Sequence, residues 1–352
     1  MLFGKKKSHL VGLDIGSRTI KAGEVVEGKG GHFLNRFGII DIPPGSIEEG
    51  AIKDPETISG SIRELFKSNG ITDQNVAISI GGYSVIVKKI SVQNMSEDQL
   101  QDTIQFEAEQ YIPFDISDVN LDFQILGEAE GNPNQMGVIL VAAKKDIIDE
   151  YVSLVQMAGL NPCIIDVDAF ALQNIFELSY APEDENVALV DIGASKTSLN
   201  ILKGISSLFM RDVSLGCGQI NQKIMSLIDC SFEEAENLKS GSGTGKLSES
   251  KLVEIISSVV ADWCMEVRRA LDFFYSTYPD DQIDRIMLSG GGANIKEFRD
   301  LLSEETSAEV EAINPFAGFE VDKKLQKSGL LTKVAPQAAI CMGLAIRKVD
   351  DK

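Results

Sequence analysis

Two stretches of the chain, half a chain apart, share one order of apolar and small polar residues. In residues 11–26 and again in residues 188–202, an apolar run ends in Asp-Ile-Gly, small and hydroxylated residues follow, and a second β-prone run comes next. This order predicts a β-hairpin with a glycine-containing turn. Because Asp14 and Asp191 are 177 residues apart in a chain of 352, we predict two structurally related domains that each begin with such a hairpin.

The turns of these hairpins are candidate phosphate-binding sites. Gly16 and Gly193 permit close approach of the main chain, so that backbone N–H groups can point at a phosphate. Asp14 and Asp191 stand at the strand ends, where we expect their carboxylates to face each other across a cleft and to bind Mg²⁺ with water and substrate phosphates. A single Asp-Ile-Gly could equally be an ordinary hairpin turn. Two copies half a chain apart favour the phosphate site.

Residues 284–298 predict a buried strand, a glycine run and then a helix that begins near Asn294. The three glycines at 290–292 would let the main chain pass against a flat base or a ribose. Strand-to-helix turns also carry glycine for steric reasons alone. The position of this run after the second hairpin favours a nucleoside site.

A long amphipathic helix is predicted from apolar residues that follow helical spacing between Leu252 and Phe274. Glu266 lies three residues after Trp263, at the edge of the apolar stripe. Its carboxylate could accept a ribose hydroxyl, or it could be only a partly exposed residue at a stripe edge. The sequence leaves both interpretations open.

Residues 76–145 predict a compact β-β-α-β-β unit. Strands are indicated at residues 76–80, 85–90, 119–125 and 138–142. Between them, Ser96 is placed to cap a helix that ends before Pro113.

Composition and charge exclude several classes of protein. The length suggests about two folding units, and the net charge of −20 disfavours binding to nucleic acid. No apolar run approaches the roughly 18 residues of a membrane span, and residues 1–8 are not followed by the apolar stretch of a signal peptide, so we expect a cytoplasmic protein. The five cysteines are widely spaced and form no CxxC, which indicates neither a disulfide framework nor a zinc site.

Residues 240–247 look like a P-loop but depart from that motif at two positions. Ser240 stands where glycine is required, and Leu247 stands where the Mg-binding hydroxyl belongs. We therefore predict a mobile surface loop that precedes the long helix.

Taken together, the motifs D-I-G-S-x-x-x-K, D-I-G-A-S-K-T and S-G-G-G-A resemble those of the superfamily of actin, FtsA and heat-shock chaperone ATPases. Residues 106–114, 312–316 and 335–345 are more closely similar to the PilM family of type IV pilus assembly proteins. The resemblance implies an α/β actin-like ATPase fold, with two related domains around a nucleotide cleft. It implies the boundaries 1–180 for the first domain, with an inserted α+β subdomain at about 76–145, then 181–334 for the second, with a helical subdomain at about 219–278, and a C-terminal helix in 335–352 that returns to the first domain.

The same resemblance implies the residues that bind Mg-ATP. Asp14 and Asp191 would hold the metal and act in catalysis together with Asp168. The nucleotide would be bound by Gly16, Ser17, Thr19, Lys21, Gly193, Ala194, Ser195, Lys196, Thr197, Gly216, Glu266, Gly291, Gly292 and Ala293. Cys217 and Asn221 replace the second Gly and the Thr of the family's Gly-Gly-x-x-x-Thr segment, which puts the ribose and phosphate contacts of that loop in doubt.

The function implied by the resemblance is an ATP-binding assembly scaffold with at most slow hydrolysis. Its partner would be the short cytoplasmic N-terminal tail of PilN, an inner-membrane protein, bound in a groove of the inserted subdomain at Tyr111, Ile112 and Phe114. From the sequence alone these three residues could equally pack in a core. A filament-forming protein like FtsA and a small-molecule kinase are the alternatives; Asp166 and Asp168 keep the kinase open. Further pilus assembly partners and a homo-oligomer are also compatible with this reading.

Overall fold

The computed structural model describes residues 10–28, 31–129, 132–182, 185–241, 243 and 247–349. Within these ranges the strands are β1 (Val11–Ile15), β2 (Thr19–Gly28), β3 (Gly31–Asp41), β4 (Ile47–Glu48), β5 (Ala51–Ile52), β6 (Asn75–Ile80), β7 (Val85–Gln93), β8 (Val119–Ala129), β9 (Asn132–Lys144), β10 (Asn161–Val167), β11 (Asn186–Ile192), β12 (Thr197–Lys203), β13 (Ser206–Val213), β14 (Arg285–Ser289), β15 (Glu309–Ala312) and β16 (Phe319–Val321). The α-helices in the same ranges are α1 (Pro55–Asn69), α2 (Glu97–Ala108), α3 (Lys145–Met157), α4 (Asp168–Tyr180), α5 (Gly218–Ile228), α6 (Phe232–Lys239), α7 (Glu249–Thr277), α8 (Lys296–Thr306), α9 (Lys323–Lys327), α10 (Leu330–Val334) and α11 (Ala339–Ala345).

Two main sheets repeat one arrangement of strands. The first sheet has the order β10-β6-β1-β2-β3-β16, and the second has the order β13-β12-β11-β14-β15. In each, an antiparallel hairpin (β1–β2 or β11–β12) lies beside a parallel strand (β6 or β14). Asp14 pairs with Lys21 across the first hairpin, and Asp191 pairs with Ser198 across the second. The repeat predicted from the sequence is therefore a structural repeat.

Helices separate and cover the two sheets. Successive residues of a strand point to opposite faces, so Val11 and Leu13 join the outer core with α1 and α3, whereas Leu10 joins an inner core with α4 and α11. The inner core also contains Val187 and Leu189 from the second sheet, while Ala188 faces α5 to α8 on the other side. The helices α4 and α11 thus lie between the sheets and connect the two halves.

The inserted subdomain differs from the predicted β-β-α-β-β unit, because its first predicted strand belongs elsewhere. Strand β6 lies in the first main sheet, and the insert has three strands in the order β7-β9-β8 with α2. Five of the six residues of β6 are buried in a row, as expected for a parallel strand covered by helices on both faces. Within the insert, Ser96 forms a capping box with Gln99 and α2 ends before Pro113, as predicted.

The C-terminal part of the chain returns to the first domain earlier than the predicted boundary at residue 334. Strand β16 pairs with β3 of the first sheet, and a three-residue strand is too short to show a period in the sequence. The closing helix α11 lies directly on β1: a Cβ on Gly12 would come within 2.2 Å of the Cys341 carbonyl oxygen, so only glycine fits there.

Three other observations concern earlier predictions. Residues 242 and 244–246 of the predicted surface loop, and residues 1–8, lie outside the described residues. None of the helices in the described part of the chain is long and apolar enough to cross a membrane. The five cysteines are free, and three of them, Cys217, Cys264 and Cys341, are buried.

Candidate functional site

The turns of the two hairpins meet between the domains. The Ser17 and Ser195 hydroxyl oxygens lie 2.9 Å apart. Both turns close in the same way: the Gly16 N–H donates to the Thr19 carbonyl at 3.1 Å, and the Gly193 N–H donates to the Lys196 carbonyl at 2.9 Å. The structure therefore brings together the two predicted phosphate-binding turns, which share one conformation and face each other.

The first hairpin carries its own buried ion pair. The Lys21 ammonium donates to the Asp14 carboxylate at 3.0 Å, and both residues are only 8% exposed. Burial raises the pKa of Asp14 above its ordinary value, although Lys21 opposes that rise. An opposite charge within hydrogen-bonding distance is what allows two such groups to be buried together.

Asp191 of the second hairpin has a hydroxyl partner instead of a lysine. The Ser289 hydroxyl lies 2.8 Å from the Asp191 carboxylate and 3.1 Å from the Pro336 carbonyl. Burial raises the pKa of Asp191 to about 6. A serine hydroxyl has one proton to donate, so a protonated Asp191 can donate to Ser289 while Ser289 donates to Pro336. The protonation state of this carboxyl group is thereby linked to the segment that precedes α11.

Lys196, at the end of the second turn, reaches across to the first domain. Its ammonium donates to Asp168, the first residue of α4, at 2.7 Å and lies 3.8 Å from Asp212 on β13. Burial alone would lower the pKa of Lys196, but Asp168 and Asp212 together raise it above its ordinary value. Burial alone would raise the pKa of Asp168, but Lys196 holds the pKa of this carboxyl group below its ordinary value. Both groups therefore stay charged at neutral pH.

Sequence reasoning missed two residues of this cluster, Asp212 and Gly81. A Cβ on Gly81 would lie 2.4 Å from the Lys196 ammonium and 2.5 Å from the Asp168 carboxylate, so the main chain passes directly over that ion pair. The available signal was the Gly-Gly pair at 81–82, directly after the buried strand β6. Asp212 has no such signal, because it lies in the interior of a strand sequence.

The glycine run after β14 has two different roles. A Cβ on Gly290 would lie 2.3 Å from the Ile192 carbonyl, and one on Gly292 would lie 2.5 Å from the Ile192 side chain. A Cβ on Gly291 would have no neighbour closer than 3.9 Å, where the Cys217 sulfur lies. Packing therefore requires Gly290 and Gly292, and Gly291 is the position whose open face suits a nucleoside. Ala293 is buried, so it offers a ligand little surface in this arrangement of the cleft.

The loop at residues 215–218 packs against the back of the second hairpin. The Cys217 and Gly218 N–H groups donate to the Gly193 and Ala194 carbonyls at 3.0 and 2.8 Å. The Thr197 hydroxyl donates to the Leu215 carbonyl at 2.8 Å. A Cβ on Gly216 would lie 2.7 Å from the Ala194 carbonyl group, which explains the glycine sterically. These groups hold the turn in shape, and the Thr197 hydroxyl is already engaged in doing so.

The two departures from the family motif have clear positions. Cys217 is buried and its sulfur faces Gly291, whereas Asn221 lies one helical turn later on α5. The Asn221 amide donates to Glu236 at 2.6 Å, but its Oδ1 is buried without a hydrogen-bond partner among the described residues. Such an unpaired acceptor is costly unless a donor reaches it, and a ribose hydroxyl or a base amino group is of the right kind.

Two predicted carboxylates are already paired. Glu266 contacts Arg269 and lies 3.8 Å from Arg211, so accepting a ribose hydroxyl would mean sharing it with these guanidinium groups. The Asp166 carboxylate lies 3.4 Å from the Arg347 guanidinium. Of the two candidate kinase carboxylates, it is Asp168 that lies beside the second hairpin.

The predicted partner residues are not equivalent. Ile112 is 6% exposed and lies in the hydrophobic core of the insert, so its side chain offers a partner little surface, and its role in a binding groove stays a prediction. Tyr111 and Phe114 are half-buried at the margin of that core. The Lys144 ammonium lies 4.5 Å from the centre of the Phe114 ring. Only Tyr111 and Phe114 keep a face that a partner could contact.

The cluster fits a bound Mg-nucleotide. Its two lysines, Lys21 and Lys196, are balanced by Asp14 and Asp168, and Asp191 adds a third carboxyl group that gains a proton readily. In the described part of the chain no group of three His, Cys, Asp or Glu side chains forms a metal cage. Magnesium does not need one, because it commonly binds through one or two carboxylates, water and substrate phosphates.

Comparisons with known proteins agree with this architecture. The profile of the family described as type IV pilus assembly protein PilM matches residues 12–349. The solved PilM-PilN type IV pilus biogenesis complex is 28% identical, with a TM-score of 0.86 over 98% of this chain and 100% of that one. Cell division protein FtsA of Bacillus subtilis (strain 168) is 25% identical over 276 residues, which cover 71% of this chain; the chain spans about three fifths (61%) of the length of that relative.

More distant structures share the fold alone. The ethanolamine utilization protein EutJ from Carboxydothermus hydrogenoformans has a TM-score of 0.59 at 14% identity, over 96% of this chain and 89% of that one. MreB5 of Spiroplasma citri bound to ADP has a TM-score of 0.51 at 12% identity, over 93% of this chain and 98% of that one. The predicted actin-like fold is confirmed, and at least one protein of this fold binds a nucleotide.

Proposed function

The chain belongs to the PilM family of type IV pilus assembly proteins, and on that premise we propose that it is a Mg-ATP-binding scaffold of the pilus assembly platform. Its partner is the short cytoplasmic N-terminal tail of a PilN-like inner-membrane protein. The scaffold is cytoplasmic and reaches the membrane through that partner. The observation that carries the nucleotide part is the contact of the two hairpin turns at Ser17 and Ser195, with a lysine beside each turn.

The residues of the cleft divide the binding of Mg-ATP among them. The main-chain N–H groups of both turns and the hydroxyls of Ser17 and Ser195 bind phosphate oxygens, and Lys21 and Lys196 neutralise phosphate charge. Asp14 and Asp191 would hold Mg²⁺ through its water ligands, and Asp168 would orient a water molecule beside it. Bound Mg²⁺ neutralises negative charge on the phosphates.

Hydrolysis on this scaffold is slow, because the cleft offers no strong base. Asp168 pairs with Lys196 when no nucleotide is bound and is in any state only a carboxylate, which is a weak base, and burial raises the pKa of Asp191 only to about 6. A kinase needs a carboxylate base beside an acceptor hydroxyl. The pairing of Asp166 with Arg347 removes one of the two candidates and weakens the kinase alternative. Turnover well below 10 s⁻¹, about the median for ordinary enzymes, is expected.

The inserted subdomain is the part that binds the tail. It has its own core, and it joins the first domain through β7 and β9, whose residues Val85 and Ala143 lie in the core of that domain. Tyr111 and Phe114 offer aromatic surface at its margin. A flexible tail must be ordered on binding, so the affinity is modest, on the order of micromolar.

The direct test has two arms. Calorimetry on the wild type and on the double variant Asp14→Ala/Asp191→Ala measures Mg-dependent ATP binding, with the fluorescence of Trp263 as a check of folding. We expect the double variant to lose Mg-dependent binding; wild-type affinity in the folded variant would show that the cleft is misassigned. A synthetic tail peptide from the PilN-like partner is then titrated into wild type and Tyr111→Ala/Phe114→Ala, and binding that is equal in both would remove the proposed aromatic contacts.

An FtsA-like filament is the second candidate function, favoured by the similarity to FtsA over 71% of this chain. Sedimentation of the protein with and without Mg-ATP separates the two candidates. A scaffold stays in the supernatant, whereas a filament pellets only with nucleotide. The identity and phosphorylation state of any nucleotide that copurifies would further distinguish an ATP-loaded scaffold from an active ATPase.

A further inference from the structure

A four-residue segment connects the first main sheet to the insert and also contacts the second domain. We call residues 81–84, between β6 and β7, the insert junction. The N–H of Gly82, whose φ of +80° lies in the left-handed region, donates to the Asp212 carboxylate at 2.6 Å. Asp212 belongs to β13, the edge strand of the second sheet. The root of the insert is therefore hydrogen-bonded to the other domain.

The insert junction also lies over the lysine of the second hairpin. The Gly81 main chain leaves no room for a Cβ above the Lys196 ammonium, and a Cβ on Gly82 would lie 3.6 Å from the Lys196 side chain. The same ammonium donates to Asp168 at 2.7 Å and lies 3.8 Å from Asp212. One cation thus lies among the first domain, the second domain and the root of the insert.

A phosphate bound beside Lys196 would change the charge contacts that this lysine makes. Two carboxylates, Asp168 from the first domain and Asp212 from the second, face one ammonium group. A phosphate that draws the ammonium of Lys196 toward itself leaves these carboxylates without the cation between them. Like charges at short range repel, and Asp212, whose side chain is 27% exposed, can move toward water. The insert junction is attached to Asp212 and follows it.

We propose that Asp212 is a positioning residue that couples occupation of the nucleotide cleft to the position of the inserted subdomain, by contacting Lys196 and the insert junction at the same time. The inference rests on the nucleotide binding proposed above. It adds the route by which that binding reaches the surface where the tail is proposed to bind. By linkage, whatever shift of the insert the nucleotide favours must in turn favour the nucleotide.

The experiment measures the position of the insert with spin labels. Labels are placed on α2 of the insert and on α1 of the first domain with Asp102→Cys and Glu64→Cys, both exposed positions. Cys163 and Cys230 are changed to Ser, and the other three cysteines are buried. Distance distributions between the labels are recorded by pulsed electron paramagnetic resonance with and without saturating Mg-AMPPNP. Calorimetry gives the affinity of each variant for Mg-AMPPNP. In the otherwise unchanged protein, we expect the nucleotide to shift the distribution.

Two substitutions at one position separate charge from hydrogen bonding. Asp212→Asn keeps an acceptor for the Gly82 N–H but removes the charge, so the distribution should stay as it is without nucleotide under both conditions. Asp212→Ala removes both, so the insert junction is released and the distribution should broaden and no longer respond to the nucleotide. Both variants release Lys196 from one carboxylate, and their affinity for Mg-AMPPNP should rise about two- to five-fold, as for loss of a part-exposed ion pair. If Asp212 had only a structural role, the two variants would not differ in their distance distributions, and their affinity for Mg-AMPPNP would not rise.

The matched control is Asp281→Ala, which removes a second-domain aspartate paired with Lys203 at 2.8 Å. It should leave both the shift and the affinity unchanged. An undiminished nucleotide-dependent shift in both Asp212 variants overturns the inference. So does the lack of any shift in the unchanged protein when calorimetry shows binding, and this result leaves the proposed function intact. If calorimetry shows no binding of Mg-AMPPNP to the unchanged protein, the proposed nucleotide function and the inference fail together.

Discussion

Replacing Asp191 by Asn should stabilise the protein at neutral pH and have little effect on its stability in acid. Burial raises the pKa of Asp191 to about 6, from an ordinary value of 3.8. The folded protein therefore binds a proton at this carboxyl group more tightly than the unfolded chain does. The contribution of the neutral acid to stability is complete below pH 3.8 and is lost as the pH rises through 6. Asparagine is neutral at every pH, and its amide N–H can donate to the Ser289 hydroxyl as the protonated acid does.

The size of the effect follows from the shift in pKa. Each unit corresponds to about 1.4 kcal/mol, so ionisation of Asp191 costs the folded protein about 3 kcal/mol at pH 7.5. At pH 5 the cost is about 2 kcal/mol by the same relation. The stability of the variant relative to wild type should thus increase by about 1 kcal/mol between pH 5 and pH 7.5. The charges of Asp14, Asp168 and Lys196 act on the ionised carboxylate of Asp191, and their effect is already contained in its pKa of about 6.

The assay is urea unfolding at a series of pH values, with EDTA and without nucleotide, followed by the fluorescence of Trp263. This residue is the only tryptophan of the sequence, and it is buried in the core of the second domain. Asp191 lies on β11 of the same domain. The comparison requires that the unfolding free energy falls with urea concentration at the same slope in the two proteins. Asp102→Asn, an exposed position on α2, reports the effect of removing one negative charge from this acidic surface. A stability difference that stays flat or falls between pH 5 and pH 7.5 would refute the reasoning.

The glycine run and the first turn give two further predictions. Gly292→Ala should destabilise the fold by about 1–3 kcal/mol, because its Cβ would overlap Ile192. Gly291→Ala should leave the unfolding free energy nearly unchanged and weaken ATP binding. Thermal unfolding and calorimetry measure the two effects, and equal destabilisation by both substitutions would contradict the assignment. Arg18→Ala should speed the release of a fluorescent ATP analogue about two- to five-fold in stopped-flow measurements. The Arg18 guanidinium lies 4.7 Å from the centre of the Phe232 ring of the second domain, and such a cation–π contact contributes about 0.5–1 kcal/mol to holding the cleft closed. Arg18→Lys, which keeps the charge, should release the analogue at an intermediate rate, and an Ala variant as slow as wild type would show that this contact does not hold the cleft closed.

The parts of the fold that the sequence predicts are those whose signal is local. Each hairpin is specified by a run of about fifteen residues, and its turn closes within four, so the repeat is visible in the sequence. The two-domain hypothesis predicted that the two hairpins face one cleft, but the contact of Ser17 with Ser195 is known only from the structure. The capped helix α2 is equally local, since Ser96 and Gln99 cap it within four residues. Local patterns of this kind survive folding because tertiary packing uses them without changing them.

The parts that the sequence does not predict depend on contacts between distant residues. The runs that form β6 and β7 are both β-prone, and only pairing with β1 and with β9 assigns them to different sheets. The hydrogen bond between Gly82 and Asp212 joins residues 130 apart, and no pattern around Asp212 marks it. Ile112 follows the same logic: an apolar residue before a proline can face a groove or a core, and packing against the sheet of the insert decides for the core.

The chemical difference between the two hairpins explains why they cannot exchange roles. The strands pair identically, but Lys21 stands opposite Asp14, whereas Ser198 stands opposite Asp191. The first hairpin therefore neutralises its carboxylate within its own domain. The lysine of the second hairpin lies at the turn instead, where it pairs with Asp168 of the first domain. As a result, the carboxyl group of Asp191 has a hydroxyl partner and a pKa raised by burial. Among the ion pairs of the described residues near the turns, the one that joins the domains is that of Lys196 with Asp168. A ligand that competes for this lysine must therefore act on the relation between the domains, whereas one that competes for Lys21 acts within the first domain alone.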